Sequence, residues 1–204
     1  MSQSYLVGIA GGTGSGKSWL AQYLARALGG RAAIISQDWY YKDQSSTAAG
    51  RRAALNFDHP RAFDQALLAR HLDALRRGEG IDAPQYEYRT HSRAAGTLRI
   101  EAAPVVLLEG ILVLHDPDVR SRLDHTVFVD VPADVRLMRR LLRDAGERGI
   151  PMAETLRIYA QSARPMHERF VEGSAACAVE TWRALEDLRF PRRLADALKN
   201  RISK

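Results

Sequence analysis

Gly11-Gly12-Thr13-Gly14-Ser15-Gly16-Lys17-Ser18 matches the pattern Gly-x-x-x-x-Gly-Lys-Ser/Thr. The flanks of this octapeptide decide what it means. Before it, Tyr5-Leu6-Val7-Gly8-Ile9-Ala10 is a short apolar run of strand character. After it, apolar Trp19, Leu20, Tyr23, Leu24 and Leu28 recur at helical spacing until Gly29-Gly30 ends the pattern. Strand, glycine loop and helix together are the context in which this motif cradles phosphate. The glycines let several N–H groups converge on one anion, and the helix N-terminus adds partial positive charge. Gly11, Gly12, Thr13, Gly14, Ser15 and Gly16 are therefore expected to wrap the phosphates of a nucleoside triphosphate. Lys17 would reach the β- and γ-phosphates, and the Ser18 hydroxyl would take a Mg²⁺ position.

Outward from this loop, apolar runs alternate with helical patterns. Strands are expected near Tyr5–Ala10, Ala33–Ser36, Val105–Leu108, Thr126–Val131 and Cys177–Glu180. Helices are expected near Ser18–Leu28, Ala62–Arg77, Ala133–Gly146, Met152–Val171 and Arg192–Arg201. Continuous apolar strands separated by helices predict an α/β fold, a parallel sheet of the P-loop NTPase type with helices on both faces. In such sheets ligands gather at the carboxyl ends of the strands. That rule singles out the glycine loop, Gln37-Asp38, Glu109-Gly110 and Asp130.

One segment departs from the α/β order. Gln85-Tyr86-Glu87-Tyr88-Arg89 alternates, Ala94-Ala95-Gly96 interrupts, and Thr97-Leu98-Arg99-Ile100-Glu101 alternates again. This reads as an inserted β-hairpin with a glycine-containing turn. Either it only covers the sheet, or its exposed Tyr86, Tyr88 and His91 stack on and hydrogen-bond a ligand ring.

Bulk properties narrow the class. At 204 residues, 46% apolar and 26% charged, the chain suits one domain, 1–204, with a proper core. The net charge of +6 is spread along helices among acids rather than gathered in a basic tract, so no nucleic-acid partner is expected. The single cysteine, Cys177, excludes an internal disulfide, suits a reducing cytoplasm and reads as a small core residue. The N-terminus lacks a signal-peptide pattern, and the apolar run Pro104–Leu114 is interrupted by Glu109 and too short to span a bilayer. A cytoplasmic protein without a membrane partner is expected.

Phosphoryl transfer needs a triphosphate, a metal, a positioned acceptor and positive charge on the moving group. Glu109 closes the strongest strand and can hold Mg²⁺ directly or through water. Asp38, after the second strand, can accept a hydroxyl proton, approach the metal, or both. Either acid could instead cap a loop or helix. Arg136, Arg139, Arg140 and Arg143 lie broadly on one helix face, with Arg148 beyond. They form either a solvated face or a lid that closes over phosphates.

Taken in order, the later segments are specific. Ser36-Gln37-Asp38-Trp39-Tyr40-Tyr41, Asn56-Phe57-Asp58-His59-Pro60, Pro84-Gln85-Tyr86 to His91-Ser92-Arg93, Glu109-Gly110-Ile111-Leu112 and Arg143-Asp144 to Glu147-Arg148-Gly149 follow the phosphate loop. With that loop they resemble the uridine kinase (uridine–cytidine kinase) family of the phosphoribulokinase/uridine kinase group, over roughly residues 5–171. The resemblance implies a kinase that moves the γ-phosphate of ATP or GTP to the 5′-hydroxyl of uridine, and of cytidine, with Mg²⁺. By the same resemblance, Asp38 is the catalytic base and lies near the metal, and Ser18, Asp38 and Glu109 serve Mg²⁺. Phe57 and Asp58 hold the ribose, the hairpin 81–102 with Tyr86, Tyr88 and His91 reads the pyrimidine, and Arg140, Arg143 and Arg148 belong to a lid region at 136–165. Lys17, Arg143 and Arg148 would act on the transferred phosphoryl group, and Arg140 on donor and acceptor. A homo-oligomer, a tetramer in relatives, is implied on the same ground.

The chain also departs from the family. Ile150 stands where arginine often follows the Glu-Arg-Gly motif, and Ile158 where glutamine commonly precedes the tyrosine matching Tyr159. Each removes a possible hydrogen bond to the nucleoside, worth about 0.5–1.5 kcal/mol if nothing compensates. Val171 to Val179 replaces the family's Pro-Thr-Lys and Ala-Asp-Val segments, which leaves ATP against GTP open. Alternative readings are a kinase of the same group acting on another small alcohol, and a homologue that binds nucleotide without transfer. A GTPase-like switch is disfavoured, because no Asn-Lys-x-Asp motif occurs.

Overall fold

The computed structural model describes residues 3–53, 55–87, 90 and 92–203. Strand β1 (Tyr5–Gly11) leads through the glycine loop into α1 (Lys17–Ala27), followed by β2 (Ala32–Ser36), a short α2 (Ala49–Ala53) and α3 (Gln65–Arg76). The antiparallel pair β3 (Ile81–Glu87) and β4 (Ser92–Ile100) precedes β5 (Val105–Gly110), the single turn α4 (Pro117–Arg120) and β6 (His125–Asp130). Helices α5 (Ala133–Glu147), α6 (Met152–Ile158) and α7 (Arg164–Met166) then lead to β7 (Glu180–Arg183) and α8 (Phe190–Ile202).

The main sheet is parallel throughout, in the order β2-β5-β1-β6-β7. Its central strands bury both faces, which is why they read as unbroken apolar runs. On one face Val7, Ile9, Leu107 and Val129 pack against Leu20 and Leu24 of α1 and Leu194 and Leu198 of α8. On the other, Leu6, Val106, Leu108 and Phe128 meet Leu68, Leu72 and Leu75 of α3. Register sets the site: Ile9 lies beside Glu109 on one flank and Val127 on the other, and Ala10 beside Gly110 and Phe128. The exits of β1 and β5 therefore open side by side.

Four of the five expected strands fall where their apolar runs lie. The fifth begins three residues late, at Glu180, because pairing with Val127–Asp130 buries Trp182 (5% exposed) as the strand's inward residue. Cys177 ends the 3-10 segment before it and is exposed, which corrects the core reading. Helix α3 starts at Gln65 rather than Ala62, because Asp64 accepts the Leu67 amide at 3.1 Å as its cap. The expected helix 152–171 is α6 and α7 separated and extended by π turns at Tyr159–Ala163 and His167–Val171.

The hairpin is present, but its reversal falls between Glu87 and Ser92 rather than at Ala94-Ala95-Gly96. Those three residues lie in β4, where the register shifts from Pro84↔Thr97 to Tyr86↔Arg93. Four steps on β4 thus answer two on β3. The glycine sits in an irregularity of the ladder, a usual place for glycine inside a strand.

Candidate active site

The phosphate loop is shaped by three positive φ angles, at Gly11 (149°), Gly14 (76°) and Gly16 (97°). Gly14 also has no room for a side chain, because a Cβ there would collide with the Arg136 carbonyl. The loop closes on itself through Ser15 N–H to the Gly12 carbonyl at 3.1 Å, and α1 begins with Leu20 N–H to Gly16 at 2.9 Å. From outside, the Arg139 guanidinium donates to the Ser15 carbonyl at 3.4 Å, and that of Arg136 to the Val131 carbonyl at 3.0 Å.

Beside the loop stands a group of charged side chains from four chain segments. Glu109, 8% exposed at the end of β5, accepts the Ser36 hydroxyl at 2.9 Å and also a hydrogen bond from Ser18. Burial pushes its carboxyl pKa up; Lys17 opposes this and Asp38 adds to it. Burial lowers the Lys17 pKa, while Glu109 and then Asp38 hold its proton on. Asp38 lies in the 3-10 turn Gln37–Tyr40 directly after β2, within electrostatic range of Lys17, Glu109, Asp58 and Tyr86. The turn is anchored by buried Gln37, whose Oε1 accepts the Leu112 amide at 2.8 Å. Gln37 also fills the space over Gly110 that any Cβ would need, which explains a glycine after Glu109.

Asp58 lies within electrostatic range of Asp38 and Lys17. Burial raises its pKa, and Arg140 and a hydrogen bond from Ser162 pull the other way. The Ser162 hydroxyl lies 2.8 Å from Asp58 Oδ2 and 2.7 Å from Asn56 Oδ1. Phe57 packs edge-on to Tyr41 (5.5 Å between ring centroids) and lies 6.3 Å from Tyr86, while Tyr41 lies 4.7 Å from Tyr86 and 4.4 Å from Phe63. Tyr86 is thus half-buried in an aromatic wall rather than exposed as expected, and burial raises its phenol pKa. Tyr88 and His91 lie outside the described residues.

Arg140, Arg143 and Arg148 are drawn together by one carboxylate. Asp144, 1% exposed, receives Arg140 Nε at 3.3 Å, Arg143 at 2.8 Å and Arg148 at 3.4 Å. Arg143 reaches far enough to lower the Lys17 pKa, and Arg140 far enough to lower that of Asp58, so this cluster borders both ends of the site. The organising roles of Asp144, Ser162, Ser36 and Tyr41 were not singled out from sequence. Ser36 and Tyr41 bound the Ser36-to-Tyr41 motif, and Asp144 stands four residues after Arg140 and four before Arg148, while Ser162 carries no local signal.

A phosphate loop with a lysine and a hydroxyl, carboxylates at the neighbouring strand exits and guanidiniums facing them can bind a polyphosphate and take up a proton beside it. A parallel sheet of this order around such a loop defines the P-loop kinases. The phosphoribulokinase/uridine kinase family model matches residues 6–178, and the chain belongs to that family. Uridine kinase of Clostridium perfringens is 44% identical over 173 residues, covering 84% of this chain and 83% of that protein. Uridine kinase of Chloroflexus aggregans is 46% identical over 168 residues, covering 82% and 80%. Among solved structures, a Silicibacter protein assigned as a fructose transport system kinase superposes with a TM-score of 0.73 at 25% identity, over 90% of this chain and 91% of its own. Among the described residues no helix is long and apolar enough to cross a membrane.

Proposed function

We propose that this chain is a uridine kinase that transfers the γ-phosphate of ATP or GTP to the 5′-hydroxyl of uridine, with cytidine as a second acceptor. The observation that carries the reading is the convergence of Asp38, Glu109, Lys17 and Asp58 beside the phosphate loop. The activity of the curated relatives supports the choice of acceptor.

The γ-phosphate lies by Lys17, with Arg143 and Arg148 carried over it by the Asp144 cluster. Uridine lies between the Phe57–Tyr86 wall and Asp58, whose carboxylate accepts the ribose hydroxyls, and the hairpin 81–102 closes over the base. Asp38 accepts the 5′-hydroxyl proton as that oxygen attacks phosphorus, the bond from phosphorus to the bridging oxygen breaks, and the nucleoside diphosphate leaves with the electron pair. Ser18 and Glu109, joined by a hydrogen bond, fit Mg²⁺, which takes one or two protein oxygens and completes its shell with phosphates and water. Held there, Mg²⁺ would supply positive charge to the phosphates of the donor.

The test is a diphosphate-release assay with Mg²⁺ and ATP or GTP against uridine, cytidine, adenosine, ribulose 5-phosphate and pantothenate. Turnover with the pyrimidine nucleosides above the others is expected. Turnover with ribulose 5-phosphate or pantothenate instead would replace the acceptor, and none with any would refute transfer.

A further inference from the structure

The glycine-loop helix carries a large apolar ring at its solvent-facing start. Trp19 directly follows Ser18, and instead of entering the core it is 54% exposed. Its ring is held flat against Tyr23 one turn on (5.4 Å between centroids, 24° between planes) and against Trp182 of β7 (6.1 Å, 27°). Trp182 is itself stacked on Phe190 at 5.6 Å and 10°. An exposed indole supported by such a column is a rigid platform rather than a loose surface side chain. Leu185 (48% exposed) and Leu188 (81% exposed) follow in the connection after β7.

The direction of the donor identifies what such a platform could hold. In-line transfer places the leaving diphosphate opposite the attacking oxygen. Asp38, the base of the proposed reaction, follows β2 directly and acts on Lys17 from that edge of the sheet, where β2 pairs with β5. The nucleoside end of the donor therefore runs the other way, toward β6 and β7. Two features await it there: the Trp19 platform, and a cavity of about 710 Å³ lined by Gly12, Asp130, Arg136, His167 and Thr181. The cavity also presents the carboxylates of Asp134, Glu168 and Glu172, a poor lining for the phosphate-bearing side of a polyanion. The indole face offers what a purine seeks in water, a flat, polarizable, partly desolvated surface.

We infer that Trp19 is the stacking platform for the purine base of the donor nucleotide, an assignment that rests on the phosphotransfer reading above for the direction of the triphosphate. Stacking tolerates any base because each has a π-face. Trp19 thus supplies affinity for ATP and GTP alike, and discrimination between them lies elsewhere.

Calorimetric titration of the protein with Mg²⁺-ATP, Mg²⁺-GTP and Mg²⁺-tripolyphosphate, without acceptor, tests this. Trp19→Ala should weaken both nucleotides roughly tenfold or more and leave tripolyphosphate binding unchanged, which also shows that the loop is folded. Trp19→Phe, retaining a ring, should recover most of the loss. Equal nucleotide affinity in wild type and Trp19→Ala would overturn the assignment. So would a loss confined to Thr181→Trp, which fills the neighbouring cavity. Because no acceptor is present, a wrong acceptor assignment would leave these outcomes intact.

Discussion

The hydroxyl of Ser162 lies 2.8 Å from Oδ2 of Asp58, joining residues 104 positions apart. The contact ties the π turn after α6 to the loop that presents Phe57 and Asp58. It fixes the carboxylate without a formal charge, so Asp58 keeps acceptor capacity for a sugar. If so, Ser162→Ala should raise KM for uridine about 2–10-fold, the worth of one hydrogen bond, with kcat nearly unchanged. Steady-state kinetics at saturating donor measure this. An unaltered KM would detach Ser162 from acceptor binding.

Asp38→Asn keeps the shape of the 3-10 turn and removes the proton acceptor. The expected loss in kcat is ~10²–10⁴-fold, with donor affinity changed only a few-fold. Pre-steady-state turnover together with direct nucleotide binding separates the two. Retained turnover in a folded variant would end the general-base assignment.

Asp144→Ala leaves three guanidiniums repelling one another around a buried gap. Breaking a buried ion pair costs about 3 kcal/mol at the low end of the known range, which suits arginines that keep partial solvent contact. For a chain of this size the melting temperature should drop by about 6–12 °C. kcat should fall as well, because the lid cations lose their common anchor. A variant as stable as the wild type would contradict the hub described above.

Gly14→Ala adds a methyl group at φ 76° against the Arg136 carbonyl. The strained backbone should cost ~1–3 kcal/mol and spoil the convergence of amides on phosphate. Tripolyphosphate binding, measured alongside thermal melting, should therefore weaken markedly in a protein that still folds.

His167 packs near Gly12 and Arg136, and its pKa is held down to about 4, by burial first and by Arg136 second. A free histidine titrates near 6.5. The unfolded chain therefore binds more protons between these values, and folding stability falls as pH drops from about 6.5 toward 4. Above 6.5 the contribution is fully present. His167→Gln should show a shallower acid loss in this window by chemical denaturation. Parallel profiles for both proteins would exclude His167 as a source.

The sheet was legible because its strands are fully buried: Val105-Val106-Leu107-Leu108 admits few other readings, and the loop between β1 and α1 announces itself. Edges were less legible. β7 carries one inward tryptophan, so the sequence around Cys177 and Val179 looked more strand-like than the segment that pairs. The hairpin turn was misplaced because glycine can serve a ladder irregularity as well as a reversal, and only cross-strand register separates the two. Lys17, Asp38, Asp58 and Glu109 were found from motifs and strand exits. Ser162 carries no sequence pattern, and Ser36 stands in the Ser36-to-Tyr41 motif with nothing there to announce its bond to Glu109; both acquire their roles by long-range contact. The exposure of Trp19 is not legible in sequence, because helical spacing marks a face as apolar without saying what covers it.

Three guanidiniums converge on the single carboxylate of Asp144. In the proposed reaction, the carboxylate stands in for the polyanion that these cations would face when the donor arrives. The lid therefore need not be recruited from solvent. Its side chains already lie close together on Asp144, and in the proposed reaction reaching across to phosphate would trade one anionic partner for another. Asp144 by itself offsets only one of the three positive charges gathered on it. On the proposed reading, a bound triphosphate supplies the negative charge that one carboxylate does not.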